Sequence, residues 1–60
     1  MKKYKVIVAF SLDKMLYLPD DIVYAEKVGP PVIRLYNAKT RKTIGTMVEV
    51  KFKTLVVDVS

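Results

Sequence analysis

Apolar residues in this chain recur at every second position over most of its length. Across residues 4–12, Tyr4, Val6, Val8, Phe10 and Leu12 fall on one side, and Lys3, Lys5, Ile7, Ala9 and Ser11 on the other. Successive side chains of a strand point to opposite faces, so this pattern predicts a strand with one strongly apolar face. Asp13-Lys14 predicts a tight turn into a second short strand over residues 15–18. Pro19 ends that strand because it has no N–H to give to a ladder, and Pro19-Asp20-Asp21 carries turn chemistry. A short helix capped by Asp20 competes with this reading. The β-favouring run Ile22-Val23-Tyr24 and the early Gly29-Pro30 weigh against it.

Residues 21–28 then read as a third strand, with Ile22, Tyr24 and Val28 on one side. Gly29-Pro30-Pro31 breaks the pattern. A fourth strand over residues 32–36 sets Ile33 and Leu35 opposite Val32, Arg34 and Tyr36. Residues 37–41 read as a polar hairpin loop opened by Asn37, which bonds its own backbone. The longest predicted strand covers residues 42–53. In it, Ile44, Val48, Val50 and Phe52 point one way, and Thr43, Met47, Glu49, Lys51 and Lys53 the other. Gly45 inside that run predicts a bulge or a bend. A last short strand covers residues 55–59. Five or six short antiparallel strands with tight connections predict an all-β domain over residues 1–60, a small SH3-like or OB-like barrel or a curled sheet.

Composition agrees with strands. Ten Val and four Ile suit a pleated, half-buried surface, and a chain that is 52% hydrophobic is not a disordered one. A domain this short buries only about 60% of the surface of its unfolded chain. It contains no Cys and no His, so disulfides, thiolate and imidazole metal sites and the commonest general base are excluded. Ser11 and Ser60 are its only serines, and Asp20 and Asp21 would point to opposite faces of a strand. The expectation is a non-enzymatic module with no cofactor, no metal and no small-molecule substrate. One Asn, no Gln and nine Lys follow a thermophile tendency. No run approaches the ~18 apolar residues of a membrane span. The basic start followed by Val6-Ile7-Val8-Ala9-Phe10 lacks a small-residue cleavage site, so a cytoplasmic start is expected.

Charge brings in the partner. Eleven Lys and Arg against six Asp and Glu leave a net charge of +5, a field that favours a polyanion, although charge also serves solubility. Three groups of residues are candidates. The hairpin tip Lys39, Thr40, Arg41 and Lys42 offers three cations and a hydroxyl to a phosphate backbone, or is a solvated tip. The N-terminal lysines Lys2, Lys3 and Lys5 form a basic arm, or a strand edge kept soluble by charge. Lys51 and Lys53, joined by Arg34 and Tyr36, form a basic face with an aromatic on which a base could stack, unless Tyr36 is structural.

In size, charge and strand layout the chain resembles the small basic barrel proteins of archaeal ribosomes and chromatin. That resemblance implies basic loops set against ribosomal RNA or DNA. Locally, Asp13-Lys14-Met15-Leu16-Tyr17-Leu18-Pro19-Asp20-Asp21-Ile22 is similar to the strand–Leu-Pro–turn segment of swapped-hairpin DNA-binding domains of the AbrB and antitoxin type. Val23 stands where those domains carry Arg, and their Leu-Gly and Gly-Asp continuation is missing. The expected function is RNA binding within a ribosome or another ribonucleoprotein, with RNA favoured over DNA. The alternatives are a dimeric transcription regulator and a protein-interaction module displaying Ile7, Met47 and Val56.

Overall fold

The computed structural model describes all 60 residues. The chain runs β1 (Lys2–Val6), β2 (Phe10–Leu12), β3 (Met15–Tyr17), β4 (Ile22–Gly29), β5 (Val32–Asn37), β6 (Thr43–Val48), α1 (Glu49–Phe52) and β7 (Val56–Asp58). Five strands form one antiparallel sheet in the order β6-β5-β4-β1-β7, and β2 and β3 make a separate hairpin.

The predicted strand over residues 4–12 is two strands. After Val6 the N–H groups of Ile7 and Val8 both donate to the Leu55 carbonyl, at 2.8 and 3.2 Å, which turns the chain out of the sheet. Val8, expected on the core side, is exposed. Asp13 and Lys14 form the expected tight turn, both with positive φ, 51° and 68°. That is the backbone a two-residue hairpin needs to match strand twist. Pro19-Asp20 is also a turn: Asp20 sits at φ 80°, and the Asp21 N–H donates to the Leu18 carbonyl at 3.0 Å. The Asp21 carboxylate accepts the Leu18 N–H in return at 2.8 Å, so no helix forms there.

The largest departure lies at residues 42–53. β6 ends at Val48, and Glu49–Phe52 is one turn of helix. The Glu49 N–H donates to the Pro31 carbonyl at 2.7 Å, and the Glu49 carboxylate meets Lys27 and Lys53 at 3.4 Å each. These ties, all made by Glu49, hold the bend. Val48 and Val50 are therefore exposed while Phe52 is fully buried.

Gly45 marks a bulge, since Leu35 pairs with Gly45 but Tyr36 pairs with Thr43. It is also where the β2–β3 hairpin lies on the sheet. A Cβ at Gly45 would stand 3.3 Å from Leu12 Cγ and Cδ2. The core comprises Val6, Phe10, Tyr17, Val23, Ala25, Ile33, Leu35, Ile44, Phe52 and Val56, drawn from every element, with Phe52 the contribution of α1, and no polar residue is buried. Phe52 meets Tyr4 edge-on with ring centroids 5.0 Å apart, and Phe10 stacks on Tyr17 at 5.3 Å. Val56, expected to be exposed, belongs to this core, and Met47 packs against it. Ile7 is exposed, as expected.

Candidate nucleic-acid interface

Residues directly opposed in an antiparallel pair share a face of the sheet. Across β1, β4, β5 and β6 the register aligns Lys3, Tyr24, Tyr36 and Thr43 in one row. The next row aligns Glu26, Arg34 and Thr46, and on the other side Lys5 stands opposite Ile22 and Val57. Val23, Ala25, Ile33 and Leu35, at the intervening positions, fill the core. These rows therefore form the outer face of the sheet.

This assignment decides which side of β4 faces inward. Ile22 and Tyr24 lie on the outer face, half-buried, and Val28 is exposed beyond a register shift between Lys27 and Gly29. Both sides of this strand carry apolar residues, so alternation alone did not say which faced inward. One signal was available: Glu26 shares the parity of Ile22 and Tyr24, and an unpaired carboxylate does not face a core.

The eleven candidate residues divide among four places. Lys3, Lys5, Arg34 and Tyr36 share the outer face, and Arg41 folds back onto it from the β5–β6 loop. Its guanidinium carbon lies 4.2 Å from the centre of the Tyr24 ring, which sequence reasoning had not singled out. Tyr36 is fixed by its hydroxyl, which donates to the Glu26 carboxylate. Lys5 lies 3.9 Å from Asp20, while Lys3, Arg34 and Arg41 have no acidic partner.

Lys2 and Lys53 lie elsewhere. They border a cleft of about 400 Å³ with Tyr4, Lys27, Glu49, Val56 and Asp58, and both are paired: Lys2 with Asp58 at 3.6 Å, Lys53 with Glu49. Partial desolvation raises the Glu49 carboxyl, but hydrogen bonding and charge from Lys27, with charge from Lys53, outweigh it and hold the pKa below its ordinary value. Asp58 is also held low, chiefly by the Ser60 backbone N–H. Lys51 is exposed on α1. The single basic face expected for Lys51, Lys53, Arg34 and Tyr36 is thus split, because the turn to helix at Glu49 takes both lysines off the sheet. The expected N-terminal arm is likewise a central strand, paired on both sides, which sends Lys2 and Lys3 to opposite faces.

Lys39, Thr40 and Lys42 remain in the loop, whose shape comes from Asn37. The Asn37 Oδ1 accepts the N–H groups of Lys39 and Thr40 at 2.8 and 3.0 Å, and the Thr40 hydroxyl oxygen accepts the Lys42 N–H at 3.3 Å. All three residues are exposed. No helix is long and apolar enough to cross a membrane. No protein-family model, curated protein or solved structure matches this chain.

Proposed function

We propose that this domain is a non-catalytic nucleic-acid-binding module, with RNA its favoured partner, and that it binds through the outer face of its sheet. One observation carries the reading: Lys3, Lys5, Arg34 and Arg41 share that face with two adjacent tyrosines, and Glu26 is the one carboxylate whose strand position lies on it. Cations supply phosphate contacts without sequence preference. The half-buried tyrosines between them, with Arg41 over one ring, suit bases that are not stacked in a duplex. Lys39 and Lys42 extend the positive field along the adjoining loop, and a small basic domain of this kind suits a place within a larger ribonucleoprotein. An SH3-like barrel is the fold reading supported by the strand order. β4, β5 and β6 form a meander, the last strand returns beside the first, and a single helical turn precedes it.

The test is a titration of labelled RNA and DNA at several salt concentrations. Four phosphate contacts to a single strand give a slope of log affinity against log salt of about −3. Lys3→Ala and Arg34→Ala each make the slope shallower, and Lys53→Ala does not. Salt-independent binding would rule out the mechanism. A protein-interaction role is the second reading, favoured by Met15, Leu16 and Leu18, which stand exposed on and beside the β2–β3 hairpin. The same titration with Leu16→Ser separates the two, because nucleic-acid binding is then unchanged.

A further inference from the structure

Arg41 occupies a backbone position that does not suit it. Its φ is 63°, in the left-handed region, where a long side chain is disfavoured and glycine is not. The loop requires that conformation. The Arg41 N–H donates to the Asn37 carbonyl at 2.8 Å, and the Asn37 N–H donates to the Lys42 carbonyl at 2.9 Å. A glycine would close the turn without strain, so what arginine adds must lie in its side chain.

That side chain is laid over the Tyr24 ring at 4.2 Å, with Nη2 3.5 Å from the Tyr24 hydroxyl. No carboxylate pairs with it. Tyr24 stands in register between Lys3 on β1 and Tyr36 on β5, and the Tyr36 hydroxyl is tied to Glu26. The tyrosine is half-buried and Arg41 is exposed, so the pair stands at the solvent surface of the sheet with the arginine as its outer member. A guanidinium is flat, delocalised and weakly hydrated on its faces, and nucleobases stack on it as they do on aromatic rings.

We propose that the Arg41–Tyr24 pair is a preformed seat for one unpaired nucleobase, so that the domain selects single strands or looped-out bases over duplex. The inference rests on the nucleic-acid reading above and narrows its ligand. The seated base extends the stack already made by Arg41 and Tyr24. The phosphates on either side of it meet Lys3, Lys5 and Arg34. A regular duplex keeps its base faces inside its own stack and offers this seat only phosphates and groove edges. Ordering the arginine over the ring in the free protein removes part of the entropy cost that binding would otherwise carry.

The experiment measures fluorescence anisotropy with a short labelled RNA, the DNA of the same sequence, and the duplex form of each. Wild type binds both single strands more tightly than either duplex. Arg41→Lys keeps the charge and loses the plane, and it lowers single-strand affinity about tenfold while leaving duplex affinity unchanged. Tyr24→Leu has the same selective effect. Arg41→Gly relieves the backbone, so it raises thermal stability while losing single-strand affinity, which separates a binding role from a structural one. Wild-type affinity of Arg41→Lys for single strands, or equal binding of strand and duplex by wild type, would overturn the seat and leave Arg41 as a simple cation. Absence of binding to every oligonucleotide at low salt would instead remove the nucleic-acid reading itself, and the seat with it.

Discussion

Replacing Phe52 with alanine tests the packing of the whole domain. Phe52 is the one buried residue of α1, fully enclosed, and its ring meets Tyr4 edge-on at 5.0 Å. Truncating such a ring costs about 3–5 kcal/mol, because the surrounding side chains collapse only in part onto the space it leaves. A chain of 60 residues has a total stability of roughly 3–9 kcal/mol. Phe52→Ala should therefore remove at least a third of the stability, and unfold the domain outright if its total lies at the low end of that range. Phe52→Leu keeps most of the volume and should cost less than about 1.5 kcal/mol, remaining measurable if the alanine variant does not fold. Val50 supplies the contrast. It is 75% exposed on the outer side of the helical turn, so Val50→Ala should change stability by no more than about 0.5 kcal/mol. Urea denaturation followed by circular dichroism reads all three. At a slope of about 1 kcal/mol per molar, the midpoint of Phe52→Leu moves by up to roughly 1.5 M. The strand predicted by alternation would place Val50 and Phe52 on one face with similar burial. If Val50→Ala and Phe52→Leu were equally destabilising, the helical turn and the argument from it would both be refuted.

Two further outcomes follow from particular contacts. Gly45→Ala places a Cβ 3.3 Å from the Leu12 side chain, so it should destabilise by about 1 kcal/mol through overpacking. The double variant with Leu12→Ala should show a favourable coupling by thermal denaturation, and strict additivity would refute the close approach. Stability should also fall in acid. Glu49 and Asp58 have folded pKa values below their ordinary ones. Their contribution is present above the ordinary carboxylate range and is lost as pH falls through that range toward the lower folded values. Glu49→Gln and Asp58→Asn should each flatten the acid limb of a stability–pH curve. An unchanged limb in both would show that their lysine and Ser60 partners contribute nothing to it.

Much of the local structure was legible because it depends on residues close together in the chain. Asp13-Lys14, Pro19-Asp20 and the loop opened by Asn37 all turn where their chemistry directs: the first through positive φ at both residues, the other two through the Asp21 and Asn37 side chains, which accept backbone N–H groups two or three positions away. The alternation of Ile33 and Leu35 with Arg34 and Tyr36 was also read correctly, because polar residues on one side of β5 leave one choice for the inside. Where both sides of a strand are apolar, as at Ile22, Val23, Tyr24 and Ala25, parity carries no such decision. The candidate interface shared that weakness. That Arg34 and Tyr36 share a face is legible from their own strand, but that Tyr24 joins them is not, and Lys51 and Lys53 leave that face when the chain turns at Glu49.

By itself, then, the sequence determined that this is a β-rich, basic domain, where its turns fall, and that its chemistry lacks histidine and cysteine. These follow from propensity, periodicity and composition, each of which acts over a few residues or none. Only the tertiary structure decided that the first long alternating run breaks at Ile7, that the last becomes a helical turn at Glu49, and that Arg41 lies on Tyr24. Each of these depends on a partner far along the chain: the Leu55 carbonyl, the Pro31 carbonyl with Lys27, and a ring seventeen residues away. Val48, Val50 and Phe52 alternate with polar residues as a strand would, so the local pattern favoured extension and gave no sign of the turn that exposes Val50. The choice fell to contacts that exist only once the sheet has formed.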